Sequence, residues 1–372
     1  METLSKVAFL GILMFLWIFS FSDAHAQLGH EWSTNTNKKN IDLNELMRGG
    51  PPKDGIPSID NPKFITSGEA SSWLRDKEPV VLVEIDGEAR AYPIQILMWH
   101  EMVNDWFGDK PVLVTFCPLC YSAITFDRRH RGDVLEFGVS GFLRHSDMIM
   151  YDRQTESLWQ QFSGEAHVGD YTGDQLKIIP SQLISFEQFR EIHPNGKVLS
   201  RDTGHRRDYG KNPYVGYDDI NSNPWALRDQ PSDRMKPMEK VIGVRIDDEV
   251  ITYPYSITQE RKVINDQVGG KNIVVFHTEG AVSALDKSNI HSSREDGSTG
   301  VFFSTIEGQT LEFEYKNGEI RDKQTNSVWN ITGKATDGPM KGKSLEPTIF
   351  GDYFAFAWLV FYPDAPIFGQ AI

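Results

Sequence analysis

The chain has 372 residues, 39% of them hydrophobic and 12% aromatic, which excludes a disordered protein and leaves room for two domains or one large one. The formal net charge is −14, and a surface of that sign repels phosphate backbones, so we expect no nucleic-acid partner.

The first 26 residues have the pattern of a secretory signal peptide. Lys6 precedes the apolar run Val7–Phe21, and the small residues of Ala24–Ala26 stand before a cleavage site at Gln27. The run of about 15 residues is shorter than the roughly 20 that a spanning helix needs, although an uncleaved anchor is the alternative. We therefore expect an exported protein, periplasmic or secreted, with no stable membrane span after cleavage.

Residues 27–70 are predicted to form a flexible lead-in. Asn, Lys, Gly and Pro are concentrated at 35–40 and 49–52, a composition typical of loops with little core of their own.

An internal repeat follows the lead-in. When the sequence is shifted by 161 positions, Val83–Glu88 meets Val244–Glu249 and Tyr92-Pro93 meets Tyr253-Pro254. The spacing of the residues from Asp152 to Trp159 recurs further on, from Asp322 to Trp329. We predict two divergent copies of one unit, at residues 78–200 and 238–368, joined by a polar linker at 201–237.

The residue pattern of one copy predicts an α+β, strand-dominated fold. Asp86-Gly87 marks a hairpin turn between strands at 80–84 and 89–92. Pro93 can open a helix, which we predict to run to about Trp106, and a second helix is predicted at 186–192. Alternating apolar residues predict strands at 112–116, 123–126, 135–139, 148–151 and 158–162. The two β-rich copies are expected to pack together.

The two cysteines of the chain occur in the first copy as Cys117-Pro118-Leu119-Cys120, where the second copy has Thr278-Glu279-Gly280-Ala281. The C-x-x-C spacing is typical of redox dithiols and of one half of many metal sites. A local disulfide is the third possibility, because neither cysteine has any other partner. The stretch Tyr121–Asp127 is predicted as a strand, whereas in thioredoxin-like proteins this motif opens a helix.

Further ligands would have to come from residues that the second copy lacks. Thiolates suit copper(I) or zinc, and His100 is the best third ligand because it stands in the helix just before the cysteine strand. Glu101, His145, Met148 and Met150 are secondary candidates, since the two methionines share one face of a strand. The alternatives are a hydrogen-bonded His100 and a pair of core methionines.

The tyrosine-rich stretch 209–217 either covers a site or packs between the two copies, and the second interpretation is favoured. The sequence contains no G-x-S-x-G, no H-E-x-x-H and no phosphate-binding glycine loop, so it assigns no catalytic residue.

Several motifs between about residues 70 and 220 resemble the bacterial domain-of-unknown-function family 3179. The resemblance implies a bacterial exported protein with the cysteine pair as a family feature, and it implies no activity. At the position of His145 the family more often has Asn, which leaves His100 as the better ligand. The matching segments are Tyr92-Pro93, Trp99-His100-Glu101, Asn104-Asp105, Thr115–Cys120, Phe126-Asp127-Arg128, Phe137–Gly141, Met150–Thr155, Trp159–Ala166 and Asn212–Tyr217.

The leading hypothesis is a periplasmic metal-binding protein that holds copper or zinc with Cys117, Cys120 and His100. One alternative is a thiol–disulfide redox protein that cycles Cys117 and Cys120. The other is a non-catalytic binding module with a structural disulfide, which would hold a small ligand or a protein partner in the cleft between the copies.

Overall fold

The computed structural model describes residues 28–29, 31–224 and 227–370. The predicted signal peptide lies outside these residues. Within them, no helix combines the length and the apolar character needed to cross a membrane.

The described part of the chain is strand-dominated, with five short α-helices and two single 3-10 turns (Leu43–Glu45 and Ile290–Ser292) among 28 strands, which confirms the predicted α+β class. Up to the linker the strands are β1 (Met47–Arg48), β2 (Phe64–Thr66), β3 (Pro79–Ile85), β4 (Glu88–Pro93), β5 (Met102–Phe107), β6 (Lys110–Cys117), β7 (Ser122–Asp127), β8 (Arg129–His130), β9 (Asp133–Val134), β10 (Phe137–Arg144), β11 (Asp147–Asp152), β12 (Leu158–Gln160), β13 (Ala166–Val168), β14 (Ile178–Ile179), β15 (Gln182–Ser185) and β16 (Lys197–Leu199).

The strands after the linker are β17 (Lys240–Ile246), β18 (Glu249–Pro254), β19 (Val263–Val268), β20 (Lys271–Thr278), β21 (Ser298–Phe303), β22 (Thr305–Ile306), β23 (Gln309–Thr310), β24 (Phe313–Lys316), β25 (Glu319–Asp322), β26 (Val328–Trp329), β27 (Ala335–Asp337) and β28 (Ile349–Phe354). The helices are α1 (Ser67–Ala70), α2 (Ile94–His100), α3 (Phe186–Ile192), α4 (Tyr255–Arg261) and α5 (Ala355–Phe361).

Three larger sheets and the two-stranded sheet β8-β9 make up the first half of the protein, by which we mean residues 78–200 and the lead-in strands that pair with them. The strand orders of the larger sheets are β15-β3-β4-β16-β2, β14-β7-β6-β5 and β1-β10-β11-β12-β13. In the second half, residues 238–368, the larger sheets are β18-β17-β28, β19-β20-β21 and β24-β25-β26-β27. Most neighbouring strands are consecutive in the chain and antiparallel, as in the β3-β4, β6-β7 and β10-β11 hairpins. Strands far apart in the chain also pair, as β1 does with β10, β15 with β3 and β17 with β28, and β16 pairs with β4 in parallel.

The predicted hairpin around Asp86-Gly87 is confirmed, with Ile85 opposite Glu88 and both turn residues at positive φ. The predicted helix from Pro93 to Trp106 is wrong beyond His100. Glu101 adopts a left-handed conformation with φ 59° and ends α2, after which the chain becomes β5. Pairing of the whole of β5 with residues 110–115 of β6 outweighs the helical spacing of the local apolar residues.

The lead-in has more core than the sequence predicted. Leu28, Trp32 and Leu43 are buried, and the ring of Trp32 meets the ring of Tyr151 edge-on at 5.2 Å between centroids. Strand β1 extends the sheet by pairing with β10. The described lead-in therefore packs as the outer layer of the first half.

The two halves make the same hydrogen bonds at positions that the sequence repeat aligns. Each half also has a proline-capped helix that ends at a residue of positive φ, Glu101 in the first and Lys262 in the second. A common origin of the halves stays a prediction. The matched hydrogen-bonded pairs are Tyr92–Asp105 and Tyr253–Asp266, Asn104–Phe137 and Asn265–Phe313, and Asp152–Trp159 and Asp322–Trp329.

One hydrophobic core extends through both halves. Val114 and Phe126 of the first half belong to the same packed cluster as Val241, Tyr353 and Trp358 of the second. Both cysteines are part of this cluster, so the cysteine turn lies in the interior, where the halves meet.

Candidate metal centre

The cysteines stand on the tight turn between β6 and β7. Cys117 is the last residue of β6 and pairs with Ser122, the first residue of β7, so that residues 118–121 make the connection. Tyr121 closes this turn with φ 58°. Both cysteines are free thiols and are buried, with exposed fractions of 1% and 0%. In the second half the corresponding connection, from Thr278 to Ser298, is much longer.

A carboxyl group completes a three-residue cluster with the thiols. The ligand atoms of Cys117, Cys120 and Asp147 all lie within 4.8 Å of one another, and all three residues are buried. Among the described residues this is the group of histidine, cysteine and acidic side chains whose spacing could hold a metal ion. His145, Met148 and Met150 were candidates from the sequence, whereas Asp147, which lies between them in the chain, was not.

Asp147 reaches the cysteines because its hairpin is long. Strands β10 and β11 have eight and six residues, whereas the equivalent strands β24 and β25 have four each. Asp147 begins β11, next to the tip that the second half lacks. The signal that could have identified it is an acidic residue within the insertion that distinguishes the two copies.

The two oxygens of Asp147 are in different situations. Oδ2 accepts hydrogen bonds from Nε2 of Gln160 at 2.6 Å and from the backbone N–H of Phe162 at 2.9 Å. Oδ1 is buried and has no nitrogen or hydroxyl donor among the described residues. The thiols of Cys120 and Cys117 face this carboxyl group. One oxygen is thus held by the protein, while the other is available to a ligand.

The acidic groups of the cluster are all shifted toward their protonated forms. Burial raises the pKa of Asp147 to about 7, although its hydrogen bonds with Gln160 and Phe162 oppose the shift. Burial also raises the pKa of the Cys117 and Cys120 thiols. A cation bound among these groups would reverse the shifts, because it favours the charged forms.

Glu101 is a fourth acidic group beside the cluster. Its backbone carbonyl accepts the N–H of Phe116 at 2.8 Å, which ties it to the residue before Cys117. Its side chain is buried, and burial, followed by the charge of Asp147, raises the pKa of Glu101 to about 8. It lies outside the three-residue group, as a neighbour of the site.

His100, the predicted third ligand, is engaged elsewhere. Its Nδ1 lies 2.7 Å from the carbonyl of Pro57, and its Nε2 lies 2.6 Å from the hydroxyl of Tyr209. Because a carbonyl only accepts, Nδ1 donates to Pro57, and in the neutral ring Nε2 then accepts the hydroxyl proton of Tyr209. Burial lowers the pKa of His100 to about 4. The structure brings Asp147, not His100, together with the two sulfurs.

The secondary candidates have ordinary structural surroundings. His145 is partly exposed, with Nδ1 3.5 Å from a carboxylate oxygen of Asp229 and Nε2 3.8 Å from one of Glu45. Met148 and Met150 are buried in the hydrophobic cluster that also contains the cysteines, in agreement with the alternative of two core methionines.

The tyrosine-rich stretch 209–217 both covers the site and joins the halves. Tyr217 donates its hydroxyl to the carbonyl of Leu119, within the cysteine turn, at 3.2 Å. Burial raises the pKa of Tyr214, and the charges of Glu101 and Cys117 add to the shift. Gly216 donates its N–H to the carbonyl of Leu285 in the second half.

Fold and site together define a strand-dominated protein with a buried centre of two thiols and a carboxyl group. The family model described as "Protein of unknown function (DUF3179)" matches residues 53–365, and the chain belongs to this family. The family suspected from the first-copy motifs is therefore confirmed, and the match extends through the second half. No curated protein and no solved structure matches the chain.

Proposed function

We propose that the protein binds a zinc ion through Cys117, Cys120 and Asp147. The observation that carries the proposal is the convergence of three buried ligand atoms within 4.8 Å, where one carboxylate oxygen has no nitrogen or hydroxyl donor among the described residues and faces the two thiols. Around a tetrahedral zinc, sulfur and oxygen ligands stand about 3.6 to 3.8 Å apart. Contraction by about 1 Å, within reach of small side-chain rotations, would therefore form the site.

The carboxylate favours zinc over copper(I). Zinc accepts cysteine sulfur together with carboxylate oxygen, whereas copper(I) prefers thiolates and thioethers. Asp147 is a hard ligand, and Met148 and Met150 belong to the packed core. The alternative to a zinc site is a copper(I) site in which the two thiolates are the only protein ligands.

Three protein ligands leave the fourth position of a tetrahedral zinc open to water or to a further carboxylate. Glu101 is the buried carboxyl group beside the cluster and could fill or border this position. Binding of the ion would release the protons that burial keeps on the thiols and on Asp147, so affinity should rise with pH.

Burial and raised pKa values of both thiols count against thiol–disulfide exchange as the main activity. The attacking species in exchange is an accessible thiolate, and these sulfurs are neither exposed nor readily ionised. A redox role would require the tyrosine-rich cover to open first.

Metal analysis tests the proposal. Protein purified under reducing conditions is reconstituted separately with zinc and with copper(I), and bound metal is measured after removal of the excess. We expect one zinc per chain, with tighter zinc binding in the wild type than in Asp147→Asn. Less than about a tenth of an equivalent of either metal would refute it, and equal copper(I) binding by wild type and variant would favour the dithiolate copper site.

Asp352→Asn is the matched control for this variant. Asp352 is also a buried aspartate, and burial raises its pKa to about 6, but it bonds to Tyr255 and Thr299 in the second half. Its substitution should leave zinc affinity unchanged. His100→Gln should likewise retain zinc, which separates the Asp147 site from the ligand set that the sequence predicted.

A further inference from the structure

The second half contributes no cysteine and no ligand, yet it contacts both ligand-bearing segments. The backbone N–H of Phe354, at the end of β28, donates to the carbonyl of Cys120 at 3.0 Å. This hydrogen bond fixes the cysteine turn directly against the second half.

A second connection leads to Asp147. Arg245, on β17, donates from Nη2 to the carbonyl of Phe162 at 3.0 Å and to the hydroxyl of Tyr353 at 3.2 Å. Phe162 is also the residue whose N–H donates to Oδ2 of Asp147. A single residue of the first half therefore links the guanidinium group to the candidate zinc ligand.

The side chain of Phe162 is held by the second half as well. Its ring stacks on Phe361 with centroids 4.2 Å apart and an interplanar angle of 13°, and it lies 4.9 Å from the ring of Tyr353. The guanidinium carbon of Arg245 lies 5.3 Å from the centroid of the same ring. Phe162 is thus restrained through both its carbonyl and its ring.

The repeated unit does not need an arginine at the position of Arg245. In the sequence repeat, Val244-Arg245-Ile246 aligns with Val83-Glu84-Ile85, and Glu84 is exposed on β3. The fold of the first half therefore forms with the opposite charge at this position. The arginine makes contacts with the other half that the glutamate does not.

We propose that Arg245 is a positioning residue for Asp147, and that the second half thereby sets the metal affinity of a site to which it gives no ligand. The inference rests on the proposed zinc site. The hydrogen bond from Phe162 holds Oδ2 and leaves Oδ1 free for the ion. Without Arg245 the carbonyl of Phe162 loses its donor, the residue shifts, and Asp147 becomes less well oriented. Losses of such outer contacts weaken metal binding by about 10- to 100-fold.

Zinc affinity of the full-length protein, measured by competition with a chromophoric chelator, tests the inference. Arg245→Met should bind one zinc per chain about 10- to 100-fold more weakly than the wild type. Arg245→Lys, which keeps the positive charge and N–H donors on a head group of different shape and reach, should have intermediate affinity. Arg234→Met is the matched control, because Arg234 also donates to two backbone carbonyls, those of Pro363 and Ala365, away from the site.

A cobalt(II) spectrum distinguishes positioning from general loosening of the fold. In Arg245→Met the thiolate-to-cobalt charge-transfer band should persist, while the d–d bands should shift toward those of Asp147→Asn. If Arg245→Met does not fold, Phe361→Leu, which removes the stacking partner of Phe162, should weaken zinc binding by less than the roughly 10- to 100-fold expected for the loss of Arg245.

Two outcomes separate the proposals. If the wild type binds no zinc, the proposed function fails, whatever the variants do. If the wild type binds zinc and Arg245→Met, or in its place Phe361→Leu, binds equally tightly, the zinc site stands and the positioning role of Arg245 is refuted.

Discussion

Trp159 donates its indole N–H to Oδ2 of Asp152 over 2.9 Å. Trp329 makes the same bond with Asp322 over the same distance in the second half. Each aspartate also accepts a backbone N–H from a threonine three residues later. The halves thus share the contacts that build their sheets and differ in the residues that build the site.

Replacement of either aspartate by alanine should therefore destabilise the protein similarly. Asp152→Ala and Asp322→Ala each leave a buried indole N–H and a backbone N–H without an acceptor, at an expected cost of roughly 2 to 3 kcal/mol in the free energy of unfolding. Urea denaturation measures this loss. The Asp→Asn variants, which keep a side-chain acceptor, should lose less. A large effect in only one half would contradict the equivalence.

Zinc should stabilise the folded wild type by mass action. At a free zinc concentration about 100 times the Kd, the free energy of unfolding should rise by about 2.7 kcal/mol, and a chelator should reverse the gain. Thermal unfolding with and without zinc, in reducing buffer, measures it. Cys117→Ser/Cys120→Ser should fold but show no zinc-dependent shift. An equal shift in this double variant would place the zinc elsewhere.

The burial of His100 predicts a pH-dependent contribution to stability. Its pKa in the folded protein is about 4, below the ordinary value of 6.5, so its contribution is complete above pH 6.5 and is lost as the pH falls toward 4. Between pH 7 and pH 5 the wild type should lose about 2 kcal/mol through this residue. His100→Gln does not titrate, so the stability difference between wild type and variant should narrow by that amount.

Urea denaturation of both proteins at the two pH values is the measurement. Burial also lowers the pKa of His277 to about 4, but this residue is present in both proteins and cancels in the comparison. A stability difference that does not change with pH would show that His100 is not held neutral between Pro57 and Tyr209.

The cover formed by Tyr217 predicts slow thiol chemistry. In metal-free, reduced protein both cysteines should react with a maleimide at least tenfold more slowly than free cysteine, because they are buried and poorly ionised. Tyr217→Phe removes the hydrogen bond to Leu119. The closed form should lose about 1 kcal/mol of stability with this hydrogen bond. The open form should then be populated roughly fivefold more, and the cysteines should be labelled roughly fivefold faster.

Tyr315→Phe serves as the control for labelling, because Tyr315 is an exposed tyrosine of the second half. Its labelling rate should equal that of the wild type. Rapid labelling of the wild type itself would mean that the cysteine turn is open in solution and would revive the redox alternative.

Much of the fold could be predicted from the sequence because its signals are local. The turn at Asp86-Gly87, the strand before Cys117 and the helix at 186–192 all depend on residues adjacent in the chain. The end of α2 could not be predicted in this way. The apolar spacing from Ile94 to Met102 suits a helix, and only pairing with β6 shows that the chain turns at Glu101.

The site was predictable only in part for a similar reason. The cysteine spacing is a local pattern, and its restriction to one copy identified the right half of the protein. The carboxylate partner comes from a different sheet, so its approach depends on how the β10–β11 hairpin packs against the cysteine turn. His100 was selected because it is near in sequence, yet its ring is turned toward Pro57 and Tyr209.

The hydrogen bond from Phe354 to Cys120 has a consequence for how the site responds to dilution. In a homodimer of two such units, this contact would be lost as the subunits separate. On a single chain the halves meet at an effective concentration fixed by the connecting segment, not by the amount of protein present. The geometry of the cysteine turn is therefore independent of protein abundance, and a half without cysteines supports those of the other half.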